Sequence, residues 1–201
     1  LFAHWGTGEH SVVLRVSASG DTEEEARNKV AAFVSPPATA RMIGEPKGEA
    51  LGFTDLFKLS PMPSGKRVSA DHVWSDAAIG DLLMAVHAMP APSADSTIDI
   101  VAFGGHTPVA TPHDAALTVS GGAGGGIYGL WADPAGDVAN SEWVRRVDQA
   151  LAPFRTGRYV GEADLTIGPD RRAQCFTPDA LKRLETLRRR YDPDGLFPAW
   201  P

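Results

Sequence analysis

Apolar positions along the chain fall into two periods. Over Ser11–Ala18 (SVVLRVSA) β-branched residues crowd together, the pattern of a strand. Gly20 and Asp21 turn the chain. Thr22-Glu23-Glu24-Glu25 then reads as a capping box, in which the Thr22 hydroxyl and the Glu25 carboxylate satisfy free N–H groups at the helix start. Ala26, Val30 and Phe33 follow at helical spacing, so an amphipathic helix is predicted over Thr22–Val34, stopped by Pro36-Pro37. Residues 35–65 carry no clear period. A short helix over Ala50–Leu59, anchored by Leu51, Phe57 and Leu59, is the expectation there.

The pattern sharpens after Lys66. Lys66–Trp74 (KRVSADHVW) predicts a strand and Ser75 an N-cap. Ile79, Leu82, Leu83, Val86 and Met89 make one apolar stripe, so a helix is predicted over Asp76–Ala88. Thr97–Phe103 reads as a strand. Ala116–Ser120 and Ile127–Trp131 are strand-like runs on either side of a glycine-rich stretch. Asp133-Pro134 and Gly136 form a turn, and Trp143, Val144, Val147, Leu151 and Phe154 line a helix over Asn140–Phe154. Gly157–Val160 is a last strand. Thr177-Pro178 opens a helix with Leu181, Leu184, Leu187 and Tyr191 on its apolar face, and Asp192-Pro193-Asp194-Gly195 closes it. Several strands are joined by segments too short for parallel crossovers. The fold class expected is therefore α+β: an antiparallel β-sheet with helices packed on one face and a C-terminal helical segment.

Composition narrows the function. With 201 residues, 43% of them hydrophobic, the chain can bury a core. A net charge of −6 argues against a general nucleic-acid binder, and Arg188-Arg189-Arg190 reads as a solvated helix face. The single cysteine, Cys175, excludes an internal disulfide and a cysteine-based zinc cluster, and is expected to fill a buried packing role. No apolar run reaches the roughly 18 residues a membrane helix needs. The histidines form no tight metal pattern, so no metal site is expected.

The stretch SGGAGGGIYGLW, Ser120–Trp131, contains a literal G-x-G-x-x-G at Gly124, Gly126 and Gly129. A pyrophosphate cradle needs a helix directly after the glycines, because the helix N-terminus supplies free N–H groups. Here Asp133-Pro134 follows instead, and the only acidic residue near the ribose-binding distance, Asp148, lies inside a separate amphipathic helix. The stretch is accordingly expected to be a mobile connection between two strands that borders a pocket. His106, after Gly104-Gly105 at a strand end, is either a general base suited to neutral pH or a loop histidine satisfied by its neighbours.

The most distinctive text comes late: Gly157-Arg158-Tyr159-Val160-Gly161-Glu162-Ala163-Asp164-Leu165, then Cys175-Phe176-Thr177-Pro178, then Arg183-Leu184 through Leu187 to Tyr191-Asp192-Pro193-Asp194-Gly195-Leu196-Phe197. This resembles the C-terminal segment of the berberine-bridge-enzyme-like FAD-linked oxidases, with its Y-V-N followed by R-L-x-x-L and Y-D-P-x-N-L-F. Phe103-Gly104-Gly105 and Trp131-Ala132-Asp133-Pro134 resemble further family text, more loosely. The resemblance spans roughly residues 70–198 and is concentrated over 157–197.

The resemblance implies a substrate-binding α+β domain over residues 1–156. Residues 157–201 are a C-terminal segment expected to complete the sheet and to pack on an upstream FAD-binding domain. That domain would hold most of the FAD, so this chain, opening at Leu1, is expected to be part of a longer flavoprotein and inactive alone. The implied activity is hydride transfer from a small-molecule substrate to flavin, with O2 as acceptor. The rival reading is a stand-alone ligand-binding module without catalysis. Tyr128 and His106 are the catalytic candidates; Tyr159, Gly161 and Glu162 are the cofactor-binding candidates. The sequence departs from the family where the Asn after Tyr-Val is Gly161, followed by Glu162, and where His106 replaces Ala after Gly-Gly.

Overall fold

The computed structural model describes residues 2–5, 12–34, 49–52, 54–55, 64–102, 119–168 and 170–197. The chain divides into two compact units, Leu1 with Arg15–Gly65, and Phe2–Leu14 with Lys66–Pro201. The smaller unit holds helix α1, Glu23–Val34. Its start follows the capping-box expectation: Glu25 N–H donates to Thr22 Oγ1 at 3.2 Å, while the Glu25 carboxylate accepts from Asp21 N–H at 2.9 Å. Of the short helix expected over Ala50–Leu59, residues 53 and 56–59 lie outside the described residues, and Ala50–Gly52 are not helical.

Among the described residues the sheet has six strands: β1 (Phe2–Trp5), β2 (Val12–Arg15), β3 (Arg67–Ser75), β4 (Thr97–Ala102), β5 (Ala123–Trp131) and β6 (Arg155–Gly157). Their order is β2-β1-β4-β5-β3-β6, and β5 pairs antiparallel with both β3 and β4. Helices α2 (Ile79–Val86) and α3 (Asp137–Leu151) pack on this sheet. They are followed by the short α4 (Asp170–Ala173) and by α5 (Pro178–Tyr191). The α+β class with an antiparallel sheet stands.

Alternation along each strand sorts the sheet into two faces. Val73, Ile98, Ile100 and Ile127 meet Leu82 and Val86 of α2 and Trp143, Val144, Val147 and Leu151 of α3 in one core. Trp143, fully buried, also donates its indole N–H to the Met89 carbonyl at 3.1 Å, so its polar edge is not left dry. The register puts Ala70, His72 and Trp74 of β3, Gly124, Gly126 and Tyr128 of β5, and Thr97 and Asp99 of β4 on the opposite face.

Three local expectations are corrected. The glycine stretch is no connection: Ala123–Trp131 is one continuous strand, bonded on both sides, with Gly124, Gly125 and Gly126 opposite Trp74, Val73 and His72. Pairing along both edges offsets the entropy that glycine loses in a strand. Ser75 is not the α2 cap. It ends β3, and its hydroxyl accepts the Ala77 N–H at 3.0 Å, so the helix begins only at Ile79. The last strand lies at Arg155–Gly157 rather than Gly157–Val160, because Arg158 is drawn into the interior. Residues 116–118 of the expected Ala116–Ser120 strand lie outside the described residues.

Candidate functional site

Two neighbouring residues on β3, Asp71 and His72, point to opposite faces of the sheet. So do two neighbours just past β6, Arg158 and Tyr159. The structure joins them face by face. On the core side Arg158, 1% exposed, donates to Asp71 Oδ1 at 2.6 Å, to Asp148 Oδ2 of α3 at 3.1 Å and to Gln174 Oε1 at 2.7 Å. Arg171 of α4 bonds both carboxylates, at 2.5 Å to Asp71 and 3.0 Å to Asp148, and Arg155 bonds Asp148 at 2.5 Å. Guanidinium forks suit this, since each bridges two acceptors in fixed geometry. Burial pushes the Asp71 carboxyl above its usual range, Arg158 pulls it back, and Asp148 and Arg171 act in turn with opposite signs. Asp148 thus serves the interior network and not a ribose.

On the other side Tyr159 N–H donates to His72 Nδ1 at 3.1 Å, and the two rings meet edge to face at 5.9 Å. Trp74 meets His72 the same way at 4.8 Å. Burial, helped by the nearby Arg158 charge, lowers the His72 pKa to about 4. The imidazole is therefore neutral near pH 7. With Nδ1 accepting, its proton sits on Nε2.

Tyr128 completes the face. Its ring folds back over Gly126 two residues earlier: a Cβ placed on Gly126 would lie 2.3 Å from the Tyr128 hydroxyl, so only glycine admits this pose. Gly126 is the residue directly across from His72 on one side and Asp99 on the other. The hydroxyl thus lies over the middle of a row that runs from imidazole to carboxylate. Burial, then the charge and side-chain hydrogen bond of Glu162, then the charge of Asp99, hold its pKa above the ordinary tyrosine value. Thr97 Oγ1 in turn donates to Asp99 Oδ1 at 3.0 Å.

Glu162 arrives by a tight turn. Glu162 N–H and Ala163 N–H both donate to the Tyr159 carbonyl, at 3.1 and 2.9 Å. Gly161 sits inside that turn against the Tyr159 ring, and a Cβ there would approach it to 2.8 Å. The family departure at Gly161-Glu162 therefore has a local reason: the missing side chain lets Tyr159 and Glu162 share one short turn.

Of the residues predicted from sequence, Tyr128, Tyr159, Gly161 and Glu162 come together, and His106 lies outside the described residues. Sequence reasoning missed His72 and Asp99, which belong to no motif. Their only trace was strand alternation, which places His72 on the face away from Val73. The buried Asp71–Asp148–Arg158–Arg171 network left no local trace, since its members lie up to 100 positions apart. Cys175 is buried as expected, with Sγ 3.4 Å from the Arg171 carbonyl, and burial raises its thiol pKa. Among the described residues no cluster of His, Cys, Asp and Glu is set to hold a metal, and no helix is long and apolar enough to cross a membrane.

No family model and no curated protein matches the sequence. Solved structures do match. The flavoenzyme CrmK, involved in shunt product recycling in caerulomycin biosynthesis, superposes with a TM-score of 0.68 at 17% identity, over 98% of this chain and 45% of its own. The 6-hydroxy-D-nicotine oxidase of Arthrobacter nicotinovorans matches with a TM-score of 0.60 at 16% identity, over 96% of this chain and 45% of its own. BBE-like 1 of Physcomitrella patens matches with a TM-score of 0.55 at 12% identity, over 71% of this chain and 31% of its own. The chain spans less than half the length of these proteins, and over that span its fold is that of the berberine-bridge-enzyme-like and related FAD-linked oxidases.

Proposed function

We propose that this chain is the substrate-binding part of an FAD-dependent oxidoreductase, in which a small-molecule substrate gives a hydride to flavin and O2 is the final acceptor. The observation that carries it is the row His72–Tyr128–Asp99 with Glu162, set on the face that α2 and α3 leave to other partners. The likeness in fold to three flavin-linked or oxidase structures supports it.

The residues fit one side of FAD and not the other. The glycines that a pyrophosphate cradle would use are locked in the middle of β5, with both edges bonded, so that segment holds no phosphate. The pyrophosphate contacts are assigned to a further, FAD-binding domain. A flat face with an imidazole donor, a phenol and carboxylates suits the reacting end of a substrate lying against a planar ring. The flavin, when bound, supplies the two-electron acceptor.

Oxidation of an alcohol or amine releases one hydride and one proton, and this chain must take the proton. Tyr128 with its raised pKa is a poor base by itself. Glu162, hydrogen-bonded to it, is the proton acceptor, reached through the Tyr128 hydroxyl. Tyr159 and Gly161 hold the turn that aims Glu162, and these three residues are the ones that would contact the cofactor from this chain. The test is the visible spectrum of the full-length gene product, followed by anaerobic reduction with substrate. A yellow protein is expected, with Tyr128→Phe and Glu162→Gln slowing reduction by about 10²–10⁴-fold. A colourless protein overturns the oxidoreductase reading and leaves the ligand-binding module.

A further inference from the structure

His72 is more than nine-tenths buried, yet half of its polar capacity is unused. Nδ1 is taken by Tyr159 N–H, and Nε2 has no hydrogen-bond partner among the described residues. The Nε2 atom is not shut away from solvent, so its N–H is free to donate to a ligand acceptor. The ring is also unusually well fixed. Its own carbonyl accepts from Arg158 at 3.2 Å, its Nδ1 is held by the next residue, Tyr159, and Trp74 and Tyr159 brace it edge to face. A donor held this firmly binds with little ordering cost.

We propose that His72 is a specificity-determining residue: its Nε2–H donates to an acceptor oxygen carried by a planar ring of the ligand. The proposal rests on reading this face as the ligand face, and deepens that reading by naming the ligand class. The ring is called for by the aromatic surroundings, since Tyr159 is 40% exposed beside the imidazole and offers a ring face or edge to stack on. The oxygen is called for by the donor. A neutral imidazole offers a hydrogen bond without a charge, so a carbonyl or ether oxygen serves as well as an anion. Arg158 acts here as a positioning residue, because it ties the His72 backbone to the interior network.

The experiment uses two ligands of one shape. Acetophenone and α-methylstyrene differ only in a carbonyl oxygen against a methylene. Each is titrated into the full-length protein carrying isotope-labelled histidine, and the imidazole signals are followed by NMR. The wild type is expected to bind acetophenone about 3–10-fold tighter, with the His72 Nε2–H signal shifting on saturation. His72→Gln, whose amide N–H reaches the same place, keeps the preference, and His72→Phe loses it. Equal affinity for the two compounds, the absence of any saturable response, or a preference that survives in His72→Phe overturns the proposal. The outcome separates from the flavin reading: a colourless protein that still discriminates keeps His72 as donor, and a yellow one that does not sinks only this inference.

Discussion

Gly126→Ala adds one methyl group at the centre of the site face, where the structure leaves no room for it. The new Cβ would lie 2.3 Å from the Tyr128 hydroxyl and 2.4 Å from two ring carbons. Comfortable contacts between such atoms lie at about 3.5–4.0 Å, so the ring must withdraw by roughly 1 Å or more. The interaction of the phenol with the Glu162 carboxylate weakens steeply over such a displacement. The fold should survive it. The clash is with the end of a side chain, and the rotamer penalty of about 0.5–1.5 kcal/mol is offset by the roughly 0.5–1 kcal/mol regained on removing a glycine from a strand interior. The substitution therefore separates site from stability. The assay is the ultraviolet pH titration of tyrosinate on this chain, which has three tyrosines, with Tyr128→Phe to identify the Tyr128 contribution. In the wild type that contribution titrates above the usual range. In Gly126→Ala it should fall, since the contribution of Glu162 is lost while that of burial remains, and the unfolding midpoint should stay close to wild type. An unchanged Tyr128 titration in a normally folded Gly126→Ala protein would refute the placement of the phenol and the role given to Glu162.

Arg158→Met removes the more buried of the two guanidiniums that bridge Asp71 and Asp148 and leaves both carboxylates buried with Arg171 and Arg155 alone. A loss of about 3–5 kcal/mol is expected by urea denaturation, and a loss below about 1 kcal/mol would show that the other two arginines suffice. Stability should also depend on pH through His72. The unfolded imidazole takes a proton near 6.5 and the folded one only at about 4. The contribution is thus complete above pH 6.5 and is lost as pH falls toward 4, by about 3 kcal/mol in all. His72→Gln should flatten that part of the stability curve, and equal slopes in the two proteins would contradict a buried neutral imidazole.

The sequence determined by itself the features that depend on near neighbours. Residue period placed α2, α3 and α5 to within a few positions, because a helix face is written in residues three and four apart. The Thr22–Glu25 pair marked the start of α1 for the same reason. The late text around Tyr159, Glu162 and Tyr191 carried the family resemblance, and Tyr128 and Glu162 were both named before their meeting was visible. Only the tertiary structure decided the rest. Gly124, Gly125 and Gly126 have no side chains to declare a period, so their place in a strand is set by β3 and β4 lying alongside. The same pairing laid Tyr128 over Gly126 and set His72 and Asp99 on either side. The interior arginines and aspartates are unremarkable one by one, and each looks like a surface charge. Burial makes them a network, because a charge withdrawn from water must find its counter-charge, however distant in the chain.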